Sequence, residues 1–202
     1  MSRRRLALVL GIALTHAAQA ADVALCASNA EAERVRPLYA APPVPPPFMT
    51  APKLGLSDAQ VLSALPATAA VGTSATAFAS VWRSLQGWDR ALTLVLKGGH
   101  IFEINGRIPA GEASTISQNF NLKGTGTGLA GHLRPDLLAG IYAISLAGRE
   151  GPMRGVMFLD QAGATAFSVF LPEGEQPTTA EIAQFDSTRA LIASLPPLCP
   201  AI

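Results

Sequence analysis

Few side chains in this 202-residue chain can do covalent, acid–base or metal chemistry. Of three histidines, His16 falls in an N-terminal stretch that reads as a leader, so His100 and His132 remain. Neither has a second histidine at the spacing of a helical metal site, and HExxH, GxSxG and P-loop patterns are absent. On composition alone, a lone histidine in a strand is structural as readily as it is a ligand. Tyr39 and Tyr142 are weaker candidate ligands for iron. Cys26 and Cys199 stand far apart with no CxxC, which disfavours thiol–disulfide catalysis and cysteine zinc sites. Gly126 to Gly131 spells GxGxxG, but Pro135 follows closely and short strands surround it. It reads as a glycine-rich loop and not as a dinucleotide fingerprint. Asp89, Glu103 and Glu112 are separated acids with no pairing logic.

The elements that must position these residues follow from the hydrophobic period. Glu31 to Val35 fits a short helix. Seven prolines between Pro37 and Pro52 predict an extended spacer. Ser57, with Gln60 three residues on, caps a helix that Pro66 stops. Ala75 to Leu85 reads as a helix, with Phe78, Val81, Trp82 and Leu85 on one face. From Ala91 the period becomes two. Leu92–Leu96 and Ile101–Ile104 form strands joined at Gly98-Gly99, and Asn105-Gly106 is a second hairpin signal. Short strands follow at Phe120–Leu122, Gly131–Leu133, Ile141–Leu146, Gly155–Leu159 and Ala164–Leu171. A helix from about Thr179 to Leu195, capped by Thr178 or Thr179, ends at Pro196-Pro197. The order predicts an α+β fold: a large, mainly antiparallel sheet, a small N-terminal helical part and a C-terminal helix.

Residues 1–20 carry Arg3–Arg5, an apolar Leu6–Leu14 and Ala18-Gln19-Ala20, the layout of a cleaved signal peptide. Ser2-Arg3-Arg4 also resembles a twin-arginine signal, so the export route stays open. The reading divides the chain into a signal peptide (1–20), a Pro-rich linker (21–52) and one domain (53–202). It implies a periplasmic or secreted protein, in which Cys26 and Cys199 form a disulfide. Apolar residues make up 49% and charged residues 14%, enough for a core and against disorder. The formal net charge of +1 leaves no electrostatic footprint for nucleic acid. No apolar run outside the leader is long enough to insert into a membrane.

Several segments taken in order resemble a known family. They are Trp82, Trp88, Gly99-His100-Ile101-Phe102-Glu103-Ile104-Asn105-Gly106, Ile108-Pro109-Ala110-Gly111, Phe120-Asn121-Leu122, Gly131-His132-Leu133-Arg134 and Phe158-Leu159-Asp160-Gln161-Ala162-Gly163. Over roughly residues 53–195 the chain resembles the haem-utilisation carriers of the HutX/ChuX type. The resemblance implies a homodimer that binds haem without obligatory chemistry. It implies His132 as the ligand to haem iron. Strand parity would then point Arg134 to the same face, as a candidate propionate partner. Phe102 and Tyr142 would cover the porphyrin, with Arg107 a further propionate partner. Where the family places a second haem-facing histidine this chain has Leu96, and His100 is the candidate substitute. The expected function is a periplasmic, non-enzymatic haem carrier. The alternatives are a non-haem interaction protein on the same fold and a tetrapyrrole-modifying enzyme.

Overall fold

The computed structural model describes residues 24–124, 128–149, 151–172 and 176–202. The leader expected at 1–20 lies outside the described residues. Helices α1 (Asn29–Val35), α2 (Pro47–Leu54) and α3 (Asp58–Ser63) come first. Ser28 and Ser57 open α1 and α3 with capping boxes, each accepting the N–H of a residue three positions on, Glu31 and Gln60. Gln60 Nε2 donates to Glu31 Oε1 at 2.9 Å, which ties the two caps together.

The Pro-rich segment is not an extended spacer. A 3₁₀ turn covers Arg36–Tyr39, and Pro47 opens α2 at the position where its missing N–H costs nothing. Val44 and Ala51 are buried, and the Val44 N–H donates to Ala147 O at 2.9 Å. The fixed φ of proline suits a helix start as well as a polyproline run, and the count of prolines does not separate the two.

β1 (Ala70–Ser74) and α4 (Phe78–Leu85) follow, then β2 (Ala91–Lys97), β3 (His100–Gly106), β4 (Gly111–Ala113), β5 (Phe120–Leu122) and β6 (Gly131–Leu133). β7 (Leu138–Ala147), β8 (Pro152–Asp160), β9 (Thr165–Phe170) and α5 (Thr179–Ser194) complete the chain. Six strands pair antiparallel in the order β1-β7-β8-β9-β2-β3, and β4-β5-β6 form a separate antiparallel sheet. This is the expected α+β class. Asn105-Gly106 does not turn a hairpin: the chain leaves the large sheet there and returns as β4 in the small one.

Both faces of the large sheet are covered, which is why its central strands read as continuous apolar runs. Alternate residues of β7 go opposite ways. Tyr142 and Ile144, with Leu92, Leu94 and Met157, pack under α1–α3. Ile141 and Ala143, with Val156, Phe158 and Val169, pack under α4, α5 and the small sheet. An aromatic cluster fills this second layer. Phe78 meets Phe120 edge-on at 5.1 Å, Phe158 stacks on Phe167 at 4.4 Å, and the buried Trp82 donates from Nε1 to Pro109 O at 3.0 Å. The capping box of Thr178 and Glu181 opens α5. Among the described residues no helix is long and apolar enough to cross a membrane.

Both termini meet beside β1. Thr73 bridges Pro197, the Leu198 N–H donates to Gly72 O at 3.0 Å, and Cys199 is bonded to Cys26 across a sequence separation of 173. The C-terminal strap thus lies along the outer edge of β1.

Candidate functional site

The small sheet presents one face to the core and the other to solvent. Phe120 and Leu122 of β5 are buried in the aromatic layer, so Asn121 between them must face outward. The register sets Glu112 of β4 opposite Asn121, and Asn121 opposite His132 of β6. The three side chains form a row across the outer face. His132 is exposed, and its Nδ1 lies 2.8 Å from Asn121 Oδ1. An amide oxygen can only accept, so Nδ1 carries the proton and the Nε2 lone pair is left free. This is how a histidine ligand is held in one tautomer and one orientation. Two residues beyond Asn121, Lys123 pairs with Glu112 at 2.7 Å.

Arg134 does not extend β6. It caps the 3₁₀ turn Pro135–Leu137, and its guanidinium makes two hydrogen bonds to Asp136, of 2.8 and 2.6 Å. The same pairing holds the Asp136 carboxyl below its ordinary value. A propionate would have to compete with Asp136 for Arg134. Arg107 is likewise paired, with Asp89.

The other expected site residues lie elsewhere. His100 and Phe102 are on β3, at the edge of the large sheet, and both are exposed. His100 pairs with Lys97 and Leu96 with Ile101 across the Gly98-Gly99 turn. His100 therefore points to the sheet face opposite Leu96. The equal parity counted along the sequence fails because the turn reverses the strand between them. Tyr142 is 3% exposed and belongs to the layer under α1–α3, away from the small sheet. Its ring lies against Gly72, where a Cβ would come within 2.4 Å of it. Its hydroxyl donates to Cys199 Sγ at 3.6 Å. Burial pushes this phenol up to about 12. Tyr39 is held in the same way: its hydroxyl donates to Thr50 Oγ1 at 3.1 Å, and desolvation raises its pKa. Of the GxGxxG run, Gly126 and Thr127 lie outside the described residues. Gly131 opens a strand and not a helix.

Asn121 is the member of this candidate site that reading the sequence leaves without a role. The signal is there: a polar residue between two core residues of a strand must point outward, and here it points beside a histidine. Among the described residues no three His, Cys, Asp or Glu side chains gather around one point where a bare ion could sit. A haem iron asks less of a protein, since the porphyrin supplies its equatorial nitrogens.

Comparison with known proteins bears on this site. The family described as haem utilisation ChuX/HutX matches residues 71–188. The intracellular heme transport protein HutX of Vibrio cholerae is 26% identical over 132 residues, which are 64% of this chain and 66% of the relative, just under two thirds of its length. The solved structure of the heme-binding protein ChuX superposes with a TM-score of 0.68 at 20% identity, covering 80% of this chain and 98% of that one. A protein from Agrobacterium tumefaciens gives 0.67 at 25% identity, covering 81% and 92%. The Vibrio relative is an intracellular protein, and this runs against the periplasmic or secreted location expected from residues 1–20. A basic start followed by a short apolar run is a local pattern, and it carries no information from the folded domain. The Cys26–Cys199 pairing needs no compartment to explain its geometry, because the fold brings both termini to the same edge of the sheet.

Proposed function

The chain belongs to the haem-utilisation ChuX/HutX family, and on that footing we propose that it binds haem as cargo, with His132 as the ligand to iron, and hands it on unaltered. One observation carries the reading: His132 stands exposed, with Nδ1 fixed by Asn121 and Nε2 free. Asn121 acts here as a positioning residue. Arg134, at the end of the same strand, is the candidate partner for a propionate, in exchange with Asp136. The outer face of the small sheet otherwise presents the polar groups of Glu112, Lys123 and Asn121, so it buries little of a porphyrin. Resident cofactor sites bury most of their ligand. A single coordinate bond on an open surface suits pick-up and release instead. The homodimer implied by the family finds support in the open edge at β3, where Ile101 and Phe102 are 51% and 59% exposed.

Haemin titration followed by absorbance tests the reading, with His132→Ala and His100→Ala alongside. The expected result is a saturable Soret shift at about one haem per chain. His132→Ala weakens the affinity by about tenfold or more, the loss of one good ligand or hydrogen-bonded contact, and His100→Ala leaves it alone. No saturable shift in the wild type, or an identical shift in His132→Ala, overturns it.

A further inference from the structure

The two cysteines are held with different firmness. Cys26 leads into a segment locked to the N-terminal helical layer: the Ala27 N–H donates to Ser63 Oγ at 2.8 Å, and Ala27, Ala32 and Val35 are buried. Cys199 sits in the strap 196–202, in which no residue is buried. Pro196, Pro197 and Pro200 have no N–H to give, so the strap can make few backbone bonds to β1. The Leu198 N–H donates to Gly72 O at 3.0 Å, and Thr73 Oγ1 donates to Pro196 O at 2.9 Å. Further along, Arg36 Nη2 donates to Ile202 O at 2.6 Å in an exposed position. Leu198, half-buried over Gly140, is the apolar anchor. Each such hydrogen bond contributes modestly once water is allowed to replace it. The covalent bond to Cys26 is therefore the strongest tie between the strap and the rest of the fold.

Both cysteines are half-buried and not sealed in the core, so the bridge lies at the surface, within reach of a thiolate from solvent. Exposed bridges exchange readily, whereas buried ones are shielded. We propose that the Cys26–Cys199 bridge is a redox latch: a dithiol reductant opens it, the strap 196–202 lifts off, and the outer edge of β1 is bared while the domain beneath stays folded. One thiolate of the reductant attacks a bridge sulfur and forms a mixed disulfide with it. The other bridge sulfur leaves as a thiolate and takes up a proton. The second thiol of the reductant, losing its proton, then displaces the remaining cysteine and closes a cyclic disulfide. The bridge gains two electrons and two protons, and the dithiol loses them. The domain survives because its two core layers are built from buried residues no later than Ile192. Of the strap, among the described residues, Leu198 alone packs against either layer. Opening the latch lowers stability without removing the core. The proposal rests on neither His132 nor the small sheet.

The full chain is treated with dithiothreitol in native buffer, and free thiols and amide hydrogen exchange are followed together. The expected result is the appearance of both cysteines of the described domain as thiols without denaturant. Exchange at Leu198 and Cys199 rises by about tenfold or more, while that of β8 stays within about twofold. Removing the dithiol and adding its oxidised form reverses both changes. Cys26→Ser/Cys199→Ser shows the opened pattern in the strap with or without reductant, which separates the bridge from other effects of the reagent. Thiols that appear only in denaturant overturn the proposal. So does strap exchange that stays within about twofold after reduction, or exchange that rises equally in β8.

Discussion

The two edges of the large sheet are finished in opposite ways. At the β1 edge the C-terminal strap adds backbone contacts through Pro197 and Leu198, and a disulfide fastens it to Cys26. Leu198 fills the space over Gly140, where a Cβ would lie 2.4 Å from it. Pro197 lacks an N–H, so the strap itself is a poor template for a further strand. At the β3 edge nothing follows among the described strands, and Ile101 and Phe102 stand exposed on opposite faces. An unpaired apolar edge is ordinarily a liability that proteins cover. Covering one edge so thoroughly and leaving the other bare separates two tasks: the closed edge holds the fold, and the open edge is available to a partner. Substitutions at the two edges should therefore move different observables.

The largest effect on stability is expected from Cys26→Ser/Cys199→Ser. The bridge closes a loop spanning most of the chain, and its loss should cost about 2–5 kcal/mol in denaturant titrations. Proteolysis within 196–202 should become faster. A variant as stable and as protease-resistant as the wild type would remove the distinction between the edges. Next comes Gly72→Val, where the new side chain would meet the Tyr142 ring. Overpacking of this kind costs about 1–3 kcal/mol, readable as a lower Tm.

Glu181 gives a smaller effect with a sign in pH. The hydrogen bond from Arg90, then that from the Thr178 backbone, push its carboxyl down to about 2 from 4.5. A lowered pKa means that its stabilisation is complete above 4.5 and is lost as the pH falls towards 2. Glu181→Gln should cost about 1 kcal/mol at pH 7, and its stability should converge with the wild type near the low end of that window. A difference that persists unchanged in acid would contradict the assignment. Smallest in stability is Phe102→Lys at the open edge, expected within about 0.5 kcal/mol. It should nonetheless lower self-association measured by sedimentation. Destabilisation with unchanged association would show that the edge serves the fold.

How far the sequence reaches is visible in the same places. The caps at Ser57 and Thr178, the helical face of Phe78, Val81, Trp82 and Leu85, and the Gly98-Gly99 turn are local signals, and the structure follows them. β1, Ala-Val-Gly-Thr-Ser, has too little pattern to stand out and exists because β7 and the strap flank it. The helix at Pro47–Leu54 hid behind its prolines. At the candidate site, His132 was readable from the Gly-His-Leu-Arg resemblance, whereas its pairing with Asn121 needed the register of β5 and β6. Tyr142 looked available because a strand alone does not reveal which layer covers which face. Arg134 looked free because its partner, Asp136, is set by a turn and not by strand parity.

The claim that His132 is the iron ligand is tested most directly by chemical rescue. His132→Gly is loaded with haemin and its absorbance recorded without and then with imidazole. The account predicts a Soret band displaced from the wild type that returns to the wild-type position as imidazole occupies the vacated site. A His132→Gly spectrum identical to the wild type before imidazole is added would contradict it.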